Sequence, residues 1–95
     1  MAIRRAEGSR IGRRVFMDRL AVTMDGELVD IGDDVVMSEM AYAVGHDVMP
    51  GHVTVRRPVT VAAGCRVGEA VRLGAGAEAT RDVPPTTSTV TGERL

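Results

Sequence analysis

Aromatic residues are almost missing from this chain. Phenylalanine and tyrosine together make up 2% of its 95 residues, and tryptophan is absent. Most globular cores use bulky rings. The shortage therefore calls for a core that aliphatic and small side chains can fill.

Cysteine and long apolar runs are equally scarce. The one cysteine, Cys65, cannot form an internal disulfide and cannot by itself make a structural zinc site. We interpret it as a core residue rather than a nucleophile, because buried cysteines are usually inert. No apolar run is long enough to span a bilayer, and no signal-peptide core is present. We therefore expect a cytoplasmic protein without membrane association.

Lysine is absent as well, so all 12 basic residues are arginine, and six of them lie before residue 20. A cluster of this kind raises the question of nucleic-acid binding. No aromatic residues are interleaved with the arginines to stack on bases, and the formal net charge of the chain is −1. We expect no nucleic-acid partner.

What the chain does have is a six-residue period. One frame of apolar residues consists of Ile31, Met37, Ala43, Met49, Val55, Val61, Val67, Leu73 and Ala79, and Ile11 and Met17 lie on a second frame. Small or β-branched residues often follow four places on, at Val15, Val35, Ala41, Cys65, Val71, Ala77 and Val83. Neither a helix nor an ordinary strand requires this period. It is typical of the hexapeptide repeat of a parallel β-helix, which is an all-β fold.

The repeat also divides the chain. Residues 1–10 carry no period and are predicted to be a leader or cap, and residues 11–85 form the β-helix of about three and a half coils. A loop is predicted near 47–60, where Pro50 and Gly51 interrupt the pattern. Pro84 and Pro85 end the last coil and leave a C-terminal tail at 86–95. A stack this short is expected to be only marginally stable by itself. We therefore expect a homotrimer formed through the flat faces.

Several stretches together resemble one enzyme family. Residues 11–25 (IGRRVFMDRLAVTMD) look like an acceptor-site coil, and residues 31–36 (IGDDVV) are a typical hexad opening. Residues 44–47 (VGHD) are similar to a "GH" segment before a protruding loop, and residues 73–85 (LGAGAEATRDVPP) resemble a closing "IGAGSVVTKDVPP". On these motifs the chain resembles the hexapeptide-repeat acyltransferases, in the branch of galactoside, maltose and xenobiotic O-acetyltransferases.

The resemblance implies a left-handed β-helix, a trimer, and acetyl-CoA bound between neighbouring prisms, with no metal. It makes His46 the general base that takes a proton from a hydroxyl or amine of a small-molecule acceptor, a task that suits histidine near neutral pH. The remaining expected site residues fall into two groups. Asp18 and Asp25 correspond to acceptor-binding positions, and Ala75, Gly76, Thr80 and Arg81 correspond to the segment that lines the coenzyme groove.

Two alternatives stand beside this interpretation. The chain lacks the common tryptophan of the family and is shorter between Pro58 and the closing motif, which suits a non-catalytic trimeric scaffold or a degenerate remnant of an acetyltransferase. A metalloenzyme like the γ-class carbonic anhydrases shares the fold but needs three histidine ligands. This chain has only His46 and His52. The favoured prediction is a CoA-dependent acyltransferase.

Overall fold

The computed structural model describes residues 10–95, whose regular secondary structure consists almost entirely of short strands joined by turns. The strands are β1 (Arg10–Ile11), β2 (Phe16–Met17), β3 (Val22–Met24), β4 (Val29–Ile31), β5 (Val36–Met37), β6 (Tyr42–Val44), β7 (His46–Met49), β8 (Val53–Arg56), β9 (Val59–Val61), β10 (Arg66–Val67), β11 (Arg72–Leu73) and β12 (Glu78–Ala79). A single-turn 3-10 helix covers Gly26–Leu28. The predicted leader at 1–10, apart from Arg10, lies outside the described residues.

Three parallel sheets form the sides of the molecule, and within each sheet the strands of successive coils stack on one another. Sheet 1 has the order β1-β4-β9-β12, sheet 2 the order β2-β5-β10 and sheet 3 the order β3-β6-β11. The chain visits sheets 1, 2 and 3 in turn, so each coil contributes one strand to every sheet. This arrangement agrees with the predicted parallel β-helix, while its left hand and its number of coils stay predictions.

Three corners join the sheets, and we number them by the strands they connect. The first corner lies between sheets 1 and 2, the second between sheets 2 and 3, and the third between sheet 3 and sheet 1 of the next coil. Residues 25–28, 45–58, 74–77 and 89–93 belong to the third corner. Stacked equivalent residues of successive coils therefore meet along each corner.

The predicted apolar frame fills the interior. Buried positions include Ile11, Ile31, Met37, Ala43, Val61, Val67, Leu73 and Ala79 of the frame, and all seven small or β-branched positions, Val15, Val35, Ala41, Cys65, Val71, Ala77 and Val83. Met49 and Val55 leave the core because they lie in the inserted hairpin. Burial of Cys65 confirms it as a core residue and raises the pKa of its thiol.

Extra residues enter the coil only at the third corner. Ile31 pairs with Ile11, 20 residues earlier; Val61 pairs with Ile31, 30 residues earlier; and Ala79 pairs with Val61, 18 residues earlier. Three hexads account for the shortest of these spacings. The 3-10 turn occupies the third corner of the first interval, and the second interval contains β7 and β8, which form an antiparallel hairpin. The predicted loop is therefore an ordered hairpin.

Pairing continues past the two consecutive prolines. Val83 bridges to Val67, Ser88 to Arg72 and Arg94 to Glu78, all in parallel. Pro84 and Pro85 lie between bridging positions, where they have no ladder hydrogen bond to donate. Residues 86–95 therefore stack on the preceding coil instead of extending freely from it.

The first corner carries a surface ion pair between successive coils. Arg14 binds Asp34 of the next coil with two hydrogen bonds, from Nε to Oδ1 at 2.6 Å and from Nη2 to Oδ2 at 3.0 Å. The bond from Arg14 lowers the pKa of the Asp34 carboxyl below its ordinary value. Both groups are exposed, so the pair adds little stability. Within residues 10–95 no helix is long and apolar enough to cross a membrane.

Replacing Thr23 by valine is expected to stabilise the protein by about 1 kcal/mol. The Thr23 hydroxyl is buried on the inner side of β3, and among residues 10–95 nothing bonds to it. Thr89 is the matched control, because its buried hydroxyl accepts a hydrogen bond from the backbone N–H of Gly74 at 2.9 Å. T89V should lower the free energy of unfolding, as measured by urea denaturation. Equal destabilisation by both variants would contradict the argument.

Candidate functional site

His46 begins the hairpin at the third corner. It pairs with Arg56 across the two strands and is separated from the parallel ladder of β6 by Gly45 alone. Its side chain is about one-third exposed. The imidazole is therefore fixed by backbone pairing at its root and accessible to a small molecule at its tip.

Asp25 lies directly against this histidine. Its Oδ2 is within hydrogen-bond distance of His46 Nδ1, although the two residues are 21 positions apart in sequence. Asp25 adopts a left-handed backbone conformation (φ 60°) just before the 3-10 turn, a region that Asp enters more readily than most residues. Because an ionised carboxylate only accepts hydrogen bonds, this contact favours the neutral tautomer with its hydrogen on Nδ1, which leaves the lone pair of Nε2 free.

Gly45 allows the hairpin to approach the Asp25 turn. A methyl group at this position would lie 2.8 Å from Leu28 Cβ, closer than such atoms come in folded proteins, and a tight 3.1 Å from Asp25 Cβ. The Gly45 backbone N–H donates a hydrogen bond to Met24 O, and its carbonyl oxygen accepts one from the Arg57 N–H. The "GH" pair of the sequence thus has a steric reason: the glycine lets the histidine reach the aspartate.

Arg56 adds positive charge beside the pair. Its guanidinium hydrogen-bonds Glu27, and its Nη1 is 3.8 Å from Asp25 Oδ1. The Arg56 side chain is about half exposed, so solvent screens both interactions. We regard Arg56 as an anchor for the second strand of the hairpin.

A second carboxylate lies on the opposite side of β7. Asp47 is buried; its Oδ2 accepts a hydrogen bond from Thr91 Oγ1 at 2.6 Å, and its Oδ1 is 2.9 Å from Arg72 Nη2. The same Arg72 nitrogen donates to the carbonyl oxygen of His46 at 3.3 Å. Burial disfavours the ionised Asp47, but the hydrogen bond from Thr91 together with the neighbouring Arg72 guanidinium and Ala75 backbone outweighs it and leaves the pKa of Asp47 below its ordinary value.

The four residues expected to line a coenzyme groove divide between two corners. Ala75 and Gly76 lie at the third corner, where Gly76 N–H bonds to Arg57 O at 3.4 Å. Thr80 and Arg81 follow β12 and lie at the first corner, both exposed. The structure thus brings Ala75 and Gly76 to the same corner as His46 and places Thr80 and Arg81 across sheet 1 from it.

Asp18 is not brought to His46. It lies at the second corner, where its Oδ1 accepts a hydrogen bond from Leu20 N–H at 3.1 Å, and β3 separates it from Asp25. The sequence predicts that Asp25, like Asp18, binds the acceptor. In the structure, Asp25 contacts the His46 imidazole. Acceptor binding by Asp18 and Asp25 stays a prediction.

Sequence reasoning missed Arg72 and Thr91 altogether and gave Asp47 no role. Arg72 lies 26 residues from His46 and Thr91 lies 44 residues from Asp47, so no local motif links them. The hexad frame groups residues 46–47, 74–76 and 91 at one corner in successive coils, but it does not show which of their side chains meet.

Several known proteins are similar to this chain in sequence. One relative is a serine acetyltransferase of Mycobacterium tuberculosis, which is 36% identical over 82% of this chain and 38% of its own length. Another is a serine acetyltransferase of Helicobacter pylori strain J99, which is 36% identical over 92% of this chain and 55% of its own length. The chain is similar to serine acetyltransferases. A third relative, from Synechococcus elongatus, is also a serine acetyltransferase, 34% identical over 81% of this chain and 35% of its own length.

The chain spans from about a third to about half of the length of the serine acetyltransferases it matches. The likeness supports a hexapeptide-repeat acyltransferase, which is the coarser part of the sequence prediction. It does not confirm the galactoside, maltose and xenobiotic branch. No family model matches the chain, and no solved structure does either.

Proposed function

We propose that this protein transfers an acetyl group from acetyl-CoA to a hydroxyl group of a small acceptor. The observation that carries the proposal is the contact between His46 and Asp25 at the base of a protruding hairpin. It occurs in a chain similar to serine acetyltransferases. A partly exposed imidazole whose Nδ1 is held by a carboxylate is the arrangement that general-base catalysis needs.

The proposed chemistry has two steps. His46 Nε2 takes the proton of the acceptor hydroxyl as the oxygen attacks the thioester carbonyl, and Asp25 stabilises the imidazolium that forms. The C–S bond then breaks, the thiolate of CoA receives the proton from His46, and the acetyl ester is released. Asp25 is thereby assigned to orient the base, because its Oδ2 already contacts the ring.

Serine is the first acceptor to test, because the relatives are serine acetyltransferases. The sequence resemblance to sugar-modifying enzymes makes a galactoside the second. Neither the pair at His46 nor the position of Asp18 discriminates between these hydroxyl compounds. The proposed acceptor is therefore a small molecule with a free hydroxyl group, and the acetyl-transfer assay with candidate compounds identifies which one.

A homotrimer is part of the proposal. Large apolar side chains remain exposed on the outer side of sheet 2 and at the second corner, at Phe16, Leu20 and Met40. Contiguous exposed apolar surface marks interaction sites. Their burial against a neighbouring chain would stabilise a short stack and would create the cleft between prisms in which the donor is expected to bind.

Calorimetric titration of acetyl-CoA into the purified chain tests the proposal. Saturable binding by a trimer, measured on the same sample, together with release of the CoA thiol only when serine or a galactoside is added, is the expected result. A folded chain that binds no acetyl-CoA would instead be a scaffold or a remnant. Desulfo-CoA is a useful control, since it binds without any thioester to react.

A further inference from the structure

We propose that Arg72 and Asp47 are positioning residues that fix His46 from the side of β7 opposite Asp25. The proposal deepens the proposed function and rests on it for its kinetic consequence. Its structural consequence, a fixed orientation of the His46 ring, is measurable without any assay. Neither residue was singled out by the motif that identified His46.

Alternation along β7 places the two side chains on opposite sides of the strand. The His46 ring contacts Asp25 at the third corner of an earlier coil, while the Asp47 carboxylate contacts Thr91 at the third corner of a later one. The root of the hairpin is therefore bound from both directions along the stack. A shift of β7 toward either neighbour would break one of these contacts.

Arg72 couples the two residues through a single nitrogen. Its Nη2 lies 2.9 Å from Asp47 Oδ1 and 3.3 Å from the His46 carbonyl oxygen. The guanidinium extends from β11, the strand that pairs with β6 immediately before the hairpin. It thus ties the backbone of His46 to the body of the β-helix at the point where the parallel ladder ends.

Burial distinguishes this pair from the surface ion pairs of the molecule. The Asp47 side chain is only 10% exposed, whereas the Arg10–Asp30 and Arg14–Asp34 pairs are largely open to solvent. A buried carboxylate left without its partner is strongly destabilised. Gly74 makes room for the contact, since a methyl group there would lie 2.5 Å from Asp47 Oδ1.

The experiment uses nitrogen-15 NMR of histidine, which is favourable because the chain has only His46 and His52. Spectra are recorded well above the ordinary histidine pKa of about 6.5, where the ring is neutral. In the wild type, His46 should be in the Nδ1–H form. R72Q and D47N should give a mixture with the Nε2–H form, and R72K should restore part of the wild-type state. His52, exposed in the hairpin turn, should give the same signals throughout.

R66Q is the matched control. Arg66 lies on β10 of the same coil, is exposed, and its guanidinium makes no ion pair with any residue between 10 and 95. Folding of every variant is checked by circular dichroism. In the acetyl-transfer assay, R72Q and D47N should lower kcat by roughly ten- to a hundredfold with KM little changed, because the base is displaced rather than the acceptor site removed.

The two proposals fail separately. If folded R72Q and D47N both keep His46 in the wild-type form, the positioning role is overturned, whatever the enzyme activity. If the wild type shows no acetyl transfer while both variants still alter the His46 signals, the positioning role stands and the proposed function falls. Equal changes in R66Q would show a general effect of removing charge and would also overturn the positioning role.

Discussion

Asparagine in place of His46 should lower kcat/KM for acetyl transfer by about 10²–10⁴ while leaving acetyl-CoA binding intact. The asparagine amide can still donate a hydrogen bond toward Asp25, so the third corner keeps its packing. What is lost is the lone pair of Nε2, which no amide nitrogen replaces. Steady-state rates with the acceptor found in the screen, together with calorimetric titration of acetyl-CoA, measure both quantities.

Asp25 provides the companion to this experiment. D25N should also lower kcat, because a neutral amide neither fixes the Nδ1–H form nor stabilises the imidazolium. The double variant H46N/D25N should be little slower than H46N alone, since the two residues act as one unit. H52N is the control, because His52 lies in the exposed turn of the hairpin. Full activity of H46N would refute the proposed mechanism.

Leu73 is one of the large, fully buried side chains whose truncation should cost the most stability. L73A should lower the free energy of unfolding by about 2–5 kcal/mol. The side chain is completely buried on β11, and its partner in the ladder is Ala43, which is too small to fill the vacated space. The short coil closes around few large side chains, so little else can relax into the cavity. Urea denaturation of the wild type and the variant measures the loss.

Leu20 supplies the matched control for this prediction. It is the same residue type at the second corner, but its side chain is 48% exposed. L20A should change the free energy of unfolding of the isolated chain by about 0.5 kcal/mol or less. A large effect of L20A on a trimeric sample would instead place Leu20 in an interface. An L73A effect as small as that of L20A would contradict the described core.

The sequence predicted the fold well because the six-residue period of the apolar residues corresponds to one side of the coil. Each position of the frame from Ile31 to Ala79, except the two in the hairpin, is buried as the period requires. Continued pairing beyond Pro84 and Pro85 was not predicted. The rule that proline cannot donate to a ladder applies only at bonded positions, and the frame of the tail is too irregular to show where those positions lie.

The site was predicted less completely, for a physical reason. His46 could be found because a motif surrounds it, and Asp25 was singled out, though for acceptor binding rather than for contact with the imidazole. Arg72 and Thr91 could not be found, because their contacts depend on which coil lies above which and on the length of the insertion at each corner. A lone arginine on a β-helix is, from sequence, indistinguishable from the exposed Arg66 six residues earlier.

The span of the third corner has a consequence for how this protein tolerates damage. In a linear stack each repeat touches only its neighbours, so an end repeat can fray while the middle remains ordered. Here the contacts around His46 reach from Asp25 near one end of the described stack to Thr91 near the other. Fraying of the last turn would release Thr91 from Asp47 and loosen the residue next to His46. The surroundings of His46 therefore depend on contacts at both ends of the described stack.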